Sequence, residues 1–151
     1  MKKELIVFIS CGALKMDIPC KAEKMYQGLY FQRTLKYARK LVKENEGGQI
    51  FILSAKYGVL DLDEMIEPYN VALSEQSKEY RKEWGEKVIA QLTNKNLIGN
   101  KKVVFLASKC YREPLLTIYN DYEIPMEHCG INSRLGQMRN ELYKAKKKSL
   151  I

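Results

Sequence analysis

The sequence is short of several things, and each shortage removes a class of protein. It has a single histidine, His128, and four cysteines whose spacings (11/20 and 110/129) match no zinc pattern, so no metal site is expected. Four cysteines in 151 residues do not make a disulfide scaffold either. Nine glycines and four prolines exclude collagen-like and linker-rich architectures. The longest apolar runs, Leu5 to Ile9 and Val103 to Ala107, are strand-sized. They fall far below the roughly 18–20 residues a membrane helix needs, so no membrane partner is expected. Neither GxxxxGK[ST] nor GxGxxG occurs, so the usual triphosphate and dinucleotide signatures are missing. There is no internal repeat. The amino terminus lacks a small-residue cleavage site, which makes a cytoplasmic location with reduced thiols the expectation.

What is present is an ordinary globular balance, 46% hydrophobic and 29% charged, at a length that suits one α/β domain over residues 1–151. The formal charge is +8, from 26 basic and 18 acidic residues. Much of the excess lies in a basic carboxyl-terminal helix carrying Arg134, Arg139, Lys144, Lys146, Lys147 and Lys148. This balance favours an anionic partner such as nucleic acid, a phosphorylated nucleotide or a phosphorylated metabolite. A solvated tail would look the same.

Three runs read as buried strands: Glu4–Ser10, Gln49–Ser54 and Lys102–Ser108. Each is nearly continuous in apolar residues rather than alternating, as in a sheet covered on both faces, typically a parallel one. Tyr122–Glu127 is a weaker candidate, with Pro125 confining it to an edge. Between the runs lie helical stripes. Phe31, Leu35, Ala38 and Val42 form the first, and Tyr80, Trp84 and Val88 the second, with Ser74 or Ser77 as N-cap. Leu135, Met138 and Leu142 form the third. The alternation predicts a three-layer sandwich with a mostly parallel central sheet and right-handed crossovers.

In open α/β sheets ligands bind outside the carboxyl ends of the strands. The first run ends in Ser10-Cys11-Gly12 with Lys15 following, the second in Ser54-Ala55-Lys56-Tyr57-Gly58, and the third in Ser108-Lys109-Cys110. Each finishes in a serine with a lysine close behind, and none contains an acidic residue. Hydroxyls, loop N–H groups and lysines converging on one crevice suit phosphate or carboxylate. Cys11, with the positive charge of Lys15 nearby, is the candidate nucleophile, or else a small buried thiol. Lys15 and Lys56 would neutralise phosphate, and Tyr57 or Tyr69 could stack on a base. Gly58 marks a tight turn. After the second run comes a long acidic loop, from which Glu67 is the candidate general base or the group that recognises a base edge or amine.

These residues fall in blocks: Ser10-Cys11-x-x-x-Lys15, Tyr26-x-Gly28-x-x-Phe31, Ile52-Leu53-Ser54-Ala55-Lys56-Tyr57-Gly58-x-Leu60 and Glu67-Pro68-Tyr69. Together they resemble a family of small uncharacterised bacterial and phage domains, over residues 5 to about 70. The Tyr-x-Gly-x-x-Phe and Ser-Ala-x-Tyr-Gly blocks are also similar to those of YaaA-type peroxide-stress proteins. Cys11-x-x-x-Lys15 is more loosely similar to the start of the core domain of archaeosine synthase, which modifies the deazaguanine base of transfer RNA with lysine. In that pattern, Pro-Cys-x-x-x-Lys-Pro-Tyr, this chain has Ser10 for the first proline and Met16-Asp17 after the lysine, and the later Ser-x-x-His is not matched. The resemblance implies a shared α/β fold, Tyr26 among the substrate-binding residues, and a tie to nucleic acids or modified bases. Two functions follow as expectations: an enzyme of nucleobase, nucleotide or nucleic-acid modification needing no cofactor, or a non-catalytic nucleic-acid-binding or stress-related protein.

Overall fold

The computed structural model describes residues 3–127 and 129–149, with side chains of the last helix described to Leu142. His128 and the side chains of Lys144, Lys146, Lys147 and Lys148 lie outside the described residues. Strand β1 (Glu4–Ser10) is the centre of the sheet, and its residues Leu5 to Ile9 are all buried. Leu5, Val7 and Ile9 enter one apolar cluster; Ile6 and Phe8 enter another. Alternate residues of a strand point to opposite faces, so both faces of β1 are covered. That is why the run reads as continuous rather than alternating.

β1 pairs in parallel with β3 (Gln49–Ser54) on one side and with β6 (Lys101–Phe105) on the other. Phe8 stands opposite Phe51 and Phe105 at once, with its ring 5.6 Å from that of Phe105 and 6.2 Å from that of Phe51. Strand β4 (Gly58–Asp61) runs antiparallel to β3, and β7 (Asp121–Glu123) runs parallel to β6, giving the order β4-β3-β1-β6-β7. A short antiparallel pair, β2 (Cys20–Lys21) with β5 (Met65–Ile66), lies apart from this sheet.

Helices flank the sheet. After the single turn α1 (Ala22–Met25), helix α2 (Leu29–Glu44) buries Phe31, Leu35 and Ala38 in the cluster that holds Leu5, Val7 and Ile9. Helix α3 (Lys78–Asn94) buries Trp84, Val88 and Leu92 in the cluster that holds Ile6 and Phe8. Ser77 is its N-cap, accepting from the Tyr80 N–H at 3.1 Å. A short turn, α4 (Lys109–Arg112), follows β6, and α5 (Ile131–Ser149) lies against α2, where Arg33 donates to the Leu135 carbonyl at 3.1 Å.

Three expectations need correction. The third run leaves the sheet at Phe105 rather than Ser108, because the chain turns there into α4. The edge strand is Asp121–Glu123 and stops before Pro125, which cannot donate to a ladder. The acidic segment after β3 is not one long loop: it contains β4 and β5.

Candidate functional site

Because β1, β3 and β6 are parallel neighbours, their endings share one edge of the sheet. The Cys11 N–H donates to the Leu53 carbonyl at 3.0 Å, and the Ser108 N–H to Ser10 Oγ at 3.3 Å. The chain leaves β1 toward β3 but leaves β6 toward β7, so the strand order reverses between β1 and β6. Cys11 follows β1 at this reversal, the position where open α/β sheets bind ligands.

Ser54, fully buried at the end of β3, organises the next layer. Its Oγ accepts from the Lys56 N–H at 3.2 Å and the Tyr57 N–H at 3.0 Å. With its acceptor capacity used, its own proton goes to Tyr69 Oη at 2.8 Å. Tyr69 in turn shares a 2.6 Å hydrogen bond with Tyr26, which is fully buried. Lys15 Nζ lies 4.6 Å from the centre of the Tyr69 ring and 6.0 Å from that of Tyr26. Lys56 Nζ lies 5.2 Å from the Tyr57 ring, which meets Tyr69 edge-on at 5.5 Å. The cations thus rest on aromatic faces.

The turn carrying Lys56 and Tyr57 is clamped from α3. Tyr80 Oη donates to the Ala55 carbonyl and Trp84 Nε1 to that of Ser54, each at 2.8 Å. Lys87 Nζ donates to the Lys56 carbonyl at 2.8 Å, and Gln91 Nε2 to that of Tyr57 at 3.0 Å. Residues 80, 84, 87 and 91 form one helical stripe, so a single face of α3 takes four successive carbonyls. Tyr80 and Trp84 were legible as a helical stripe with Val88; Lys87 and Gln91 were not, because polar residues leave no mark in an apolar pattern.

On the β6 side, Cys11 Sγ lies 3.3 Å from Tyr111 Oη, which also accepts from the Leu73 N–H at 3.4 Å. Tyr111 stands edge-on to Trp84 with centroids 5.5 Å apart. Sequence reasoning missed Tyr111. Its signal was its place just past the third strand ending, one residue after Cys110.

The structure therefore brings together Cys11, Lys15, Tyr26, Ser54, Lys56, Tyr57 and Tyr69, with Ser10 and Ser108 bonded at the strand reversal. Gly58 begins β4 with φ +78°, the left-handed geometry expected of it. Glu67 contributes through its main chain: Tyr57 Oη donates to its carbonyl and accepts from its N–H, both at 3.3 Å, while its carboxylate stands exposed. Lys109 is turned outward beside Glu113, 3.7 Å away. Arg134 is engaged in the fold, donating to the carbonyls of Met126 at 3.0 Å and Glu127 at 3.1 Å and to Tyr30 Oη at 3.4 Å. Arg139 is exposed on α5. Among the described residues, no three His, Cys, Asp or Glu side chains are grouped to hold a metal ion.

Burial pushes the hydroxyls of Tyr26, Tyr69 and Tyr111 well above the ordinary phenol range, and it pushes the Cys110 thiol up as well. At neutral pH these phenols are neutral donors rather than bases. The edge therefore holds neutral hydroxyls bonded to one another, a thiol and two lysines, and the lysines suit anionic ligands. The same shifts bear on stability. A phenol raised on folding contributes stability that is complete below its unfolded pKa, about 10, and is lost as pH rises through the folded value. The urea midpoint is thus expected to fall above about pH 10, and Tyr69→Phe is expected to flatten that fall. A Tyr69→Phe protein with an unchanged alkaline slope would show that this hydroxyl carries no such linkage.

Fold and site define an α/β protein with a thiol-bearing polar centre at the carboxyl ends of parallel strands. The model of a family of unknown function, DUF6884, matches residues 6–140, and the chain belongs to that family. No curated protein and no solved structure matches it.

Proposed function

We propose that this chain is an enzyme acting on a nucleobase, nucleotide or nucleic acid at the edge centred on Cys11, in a three-layer α/β fold. The observation that carries the reading is the constellation at the strand reversal. Cys11 has Tyr111 on its sulfur, and beside it run the Ser54–Tyr69–Tyr26 hydroxyl chain and Lys15. Cys11 is the nucleophile, and Ser10, whose Oγ is held by Ser108, positions it. Lys15 and Lys56 neutralise phosphate, with Lys109 and Ser108 at the outer rim. Tyr57 or Tyr69 offers a ring for a base, a contact worth about 1–3 kcal/mol. Glu67, exposed at the rim, recognises an amine. The resemblance of the strand-end blocks to YaaA-type proteins and to the archaeosine synthase core supports a base or nucleotide as ligand. The described part of α5 offers no comparable constellation, since Arg134 is spent on the loop before it.

Cysteine alkylation tests the reading. Iodoacetamide is expected to modify Cys11 faster than Cys110, whose thiol is held protonated by burial, and a nucleoside monophosphate is expected to protect Cys11. Peptide mass spectrometry follows each cysteine separately. If Cys11 is the slowest of the four and ignores nucleotide, its role as nucleophile is gone.

A further inference from the structure

On the α3 side of the same edge, Lys78, Arg81 and Lys82 face Cys110, Glu113 and Pro114 across an open cleft of about 280 Å³. Nothing in the Cys11 constellation uses these cations. Residues three and four apart share a helix face, so Lys78, Arg81 and Lys82 set three like charges side by side. They also stand in the first turns of α3, where the helix dipole disfavours positive charge. Both effects oppose folding, and an anion between the three side chains would relieve both.

The local balance leaves that anion wanting. None of the three makes an ion pair among the described residues, and the cleft's carboxylate, Glu113, has Lys109 at 3.7 Å. Arg81 Nε is buried with no hydrogen-bond partner. Its guanidinium therefore has no structural bond at that nitrogen to lose on turning toward a ligand. The far wall is fixed, because Gly85 packs so closely on Pro114 that an added Cβ would sit 3.0 Å from the proline Cβ. Cys110, on the cleft wall, directly precedes Tyr111, whose hydroxyl lies 3.3 Å from Cys11 Sγ, so the cleft adjoins the Cys11 edge.

We propose that this cleft is a phosphate subsite, in which Lys78, Arg81 and Lys82 bind a phosphate monoester dianion. Three cations against one partly neutralised carboxylate suit a doubly charged group, and Arg81 can engage two of its oxygens in parallel. The assignment of that phosphate to a nucleotide rests on the reading of the Cys11 edge; the binding of phosphate itself does not.

The test uses the full chain and follows alkylation of Cys110 and Cys11 in parallel. The probes are inorganic phosphate, a nucleoside 5′-monophosphate and the matching nucleoside. Inorganic phosphate and the monophosphate are expected to slow Cys110 modification, and the nucleoside is not. Arg81→Gln and the double variant Lys78→Gln/Lys82→Gln are each expected to weaken that protection about tenfold or more. Urea midpoints at or above that of the wild type, as relief of the like-charge repulsion requires, would show that both variants stay folded. Cys110 rates indifferent to phosphate, or equal protection in wild type and both variants, would overturn the subsite. Nucleoside protection of Cys11 alongside that result would leave the Cys11 reading standing. Phosphate protection of Cys110 with no nucleotide effect at Cys11 would keep the subsite and remove the other.

Discussion

Gly58→Val is expected to destabilise the protein by about 3–5 kcal/mol, a fall in Tm of roughly 10 °C for a domain of this size. Two effects add. Gly58 has φ +78°, which a β-branched residue adopts only under strain. A Cβ there would also run into the side-chain amide of Gln91. That amide is committed at both ends, its Oε1 accepting from the Val59 N–H at 2.8 Å and its Nε2 donating to the Tyr57 carbonyl at 3.0 Å. Pushing it aside strips two backbone groups of their partner. Gly58→Ala in a Gln91→Ala background separates the terms: the clash vanishes while the dihedral strain stays, so the two substitutions should be less than additive. A Gly58→Val protein melting within about 2 °C of wild type would refute the strain and clash together.

Trp84→Ala is expected to cost about 3–5 kcal/mol, and Trp84→Phe about 1–2. The indole is almost fully buried between β3 and the segment after β6, and its Nε1 holds the Ser54 carbonyl at 2.8 Å. Alanine leaves a cavity and an unpartnered carbonyl; phenylalanine leaves mainly the carbonyl. Since Trp84 is the single tryptophan, unfolding should be followed by circular dichroism in both variants. Equal costs for the two would mean that the ring's packing contributes little and the hydrogen bond most.

The central strands were legible because burial on both faces leaves one strong mark, an unbroken apolar run, and both β1 and β3 begin and end where that run does. β4 left no such mark. Gly58-Val59-Leu60-Asp61 is too short to stand out, and the turn chemistry of Lys56-Tyr57-Gly58 made the chain look as if it stayed irregular. β6 looked longer than it is because Leu106 and Ala107 stay buried past its last paired residue, with only the Leu106 N–H still reaching the Phe8 carbonyl. Among the residues gathered at this edge, Lys15, Ser54 and Lys56 are the ones the strand-end rule singles out. Tyr111 and the α3 clamp are not, because their aromatic and amide groups serve the core and the polar network together, and a sequence pattern registers only the first. In the basic helix, charge counts do not show that Arg134 bonds the carbonyls of Met126 and Glu127.

The small β2–β5 pair joins two excursions that leave the sheet from different strands. Cys20 pairs with Ile66 and Lys21 with Met65, while the N–H groups of Ala22 and Glu23 reach the carbonyls of Glu64 and Leu62. Tyr26 stands at one end of this patch and Tyr69 at the other, sharing the 2.6 Å bond that closes it over Ser54. Ala22, Met25, Tyr26 and Ile66 of this patch are buried in the same apolar cluster as Leu5, Val7 and Ile9, so the patch is seated on the core beside β1. The main-chain bonds of the two excursions thereby hold in register two phenols that stand 43 residues apart in the chain.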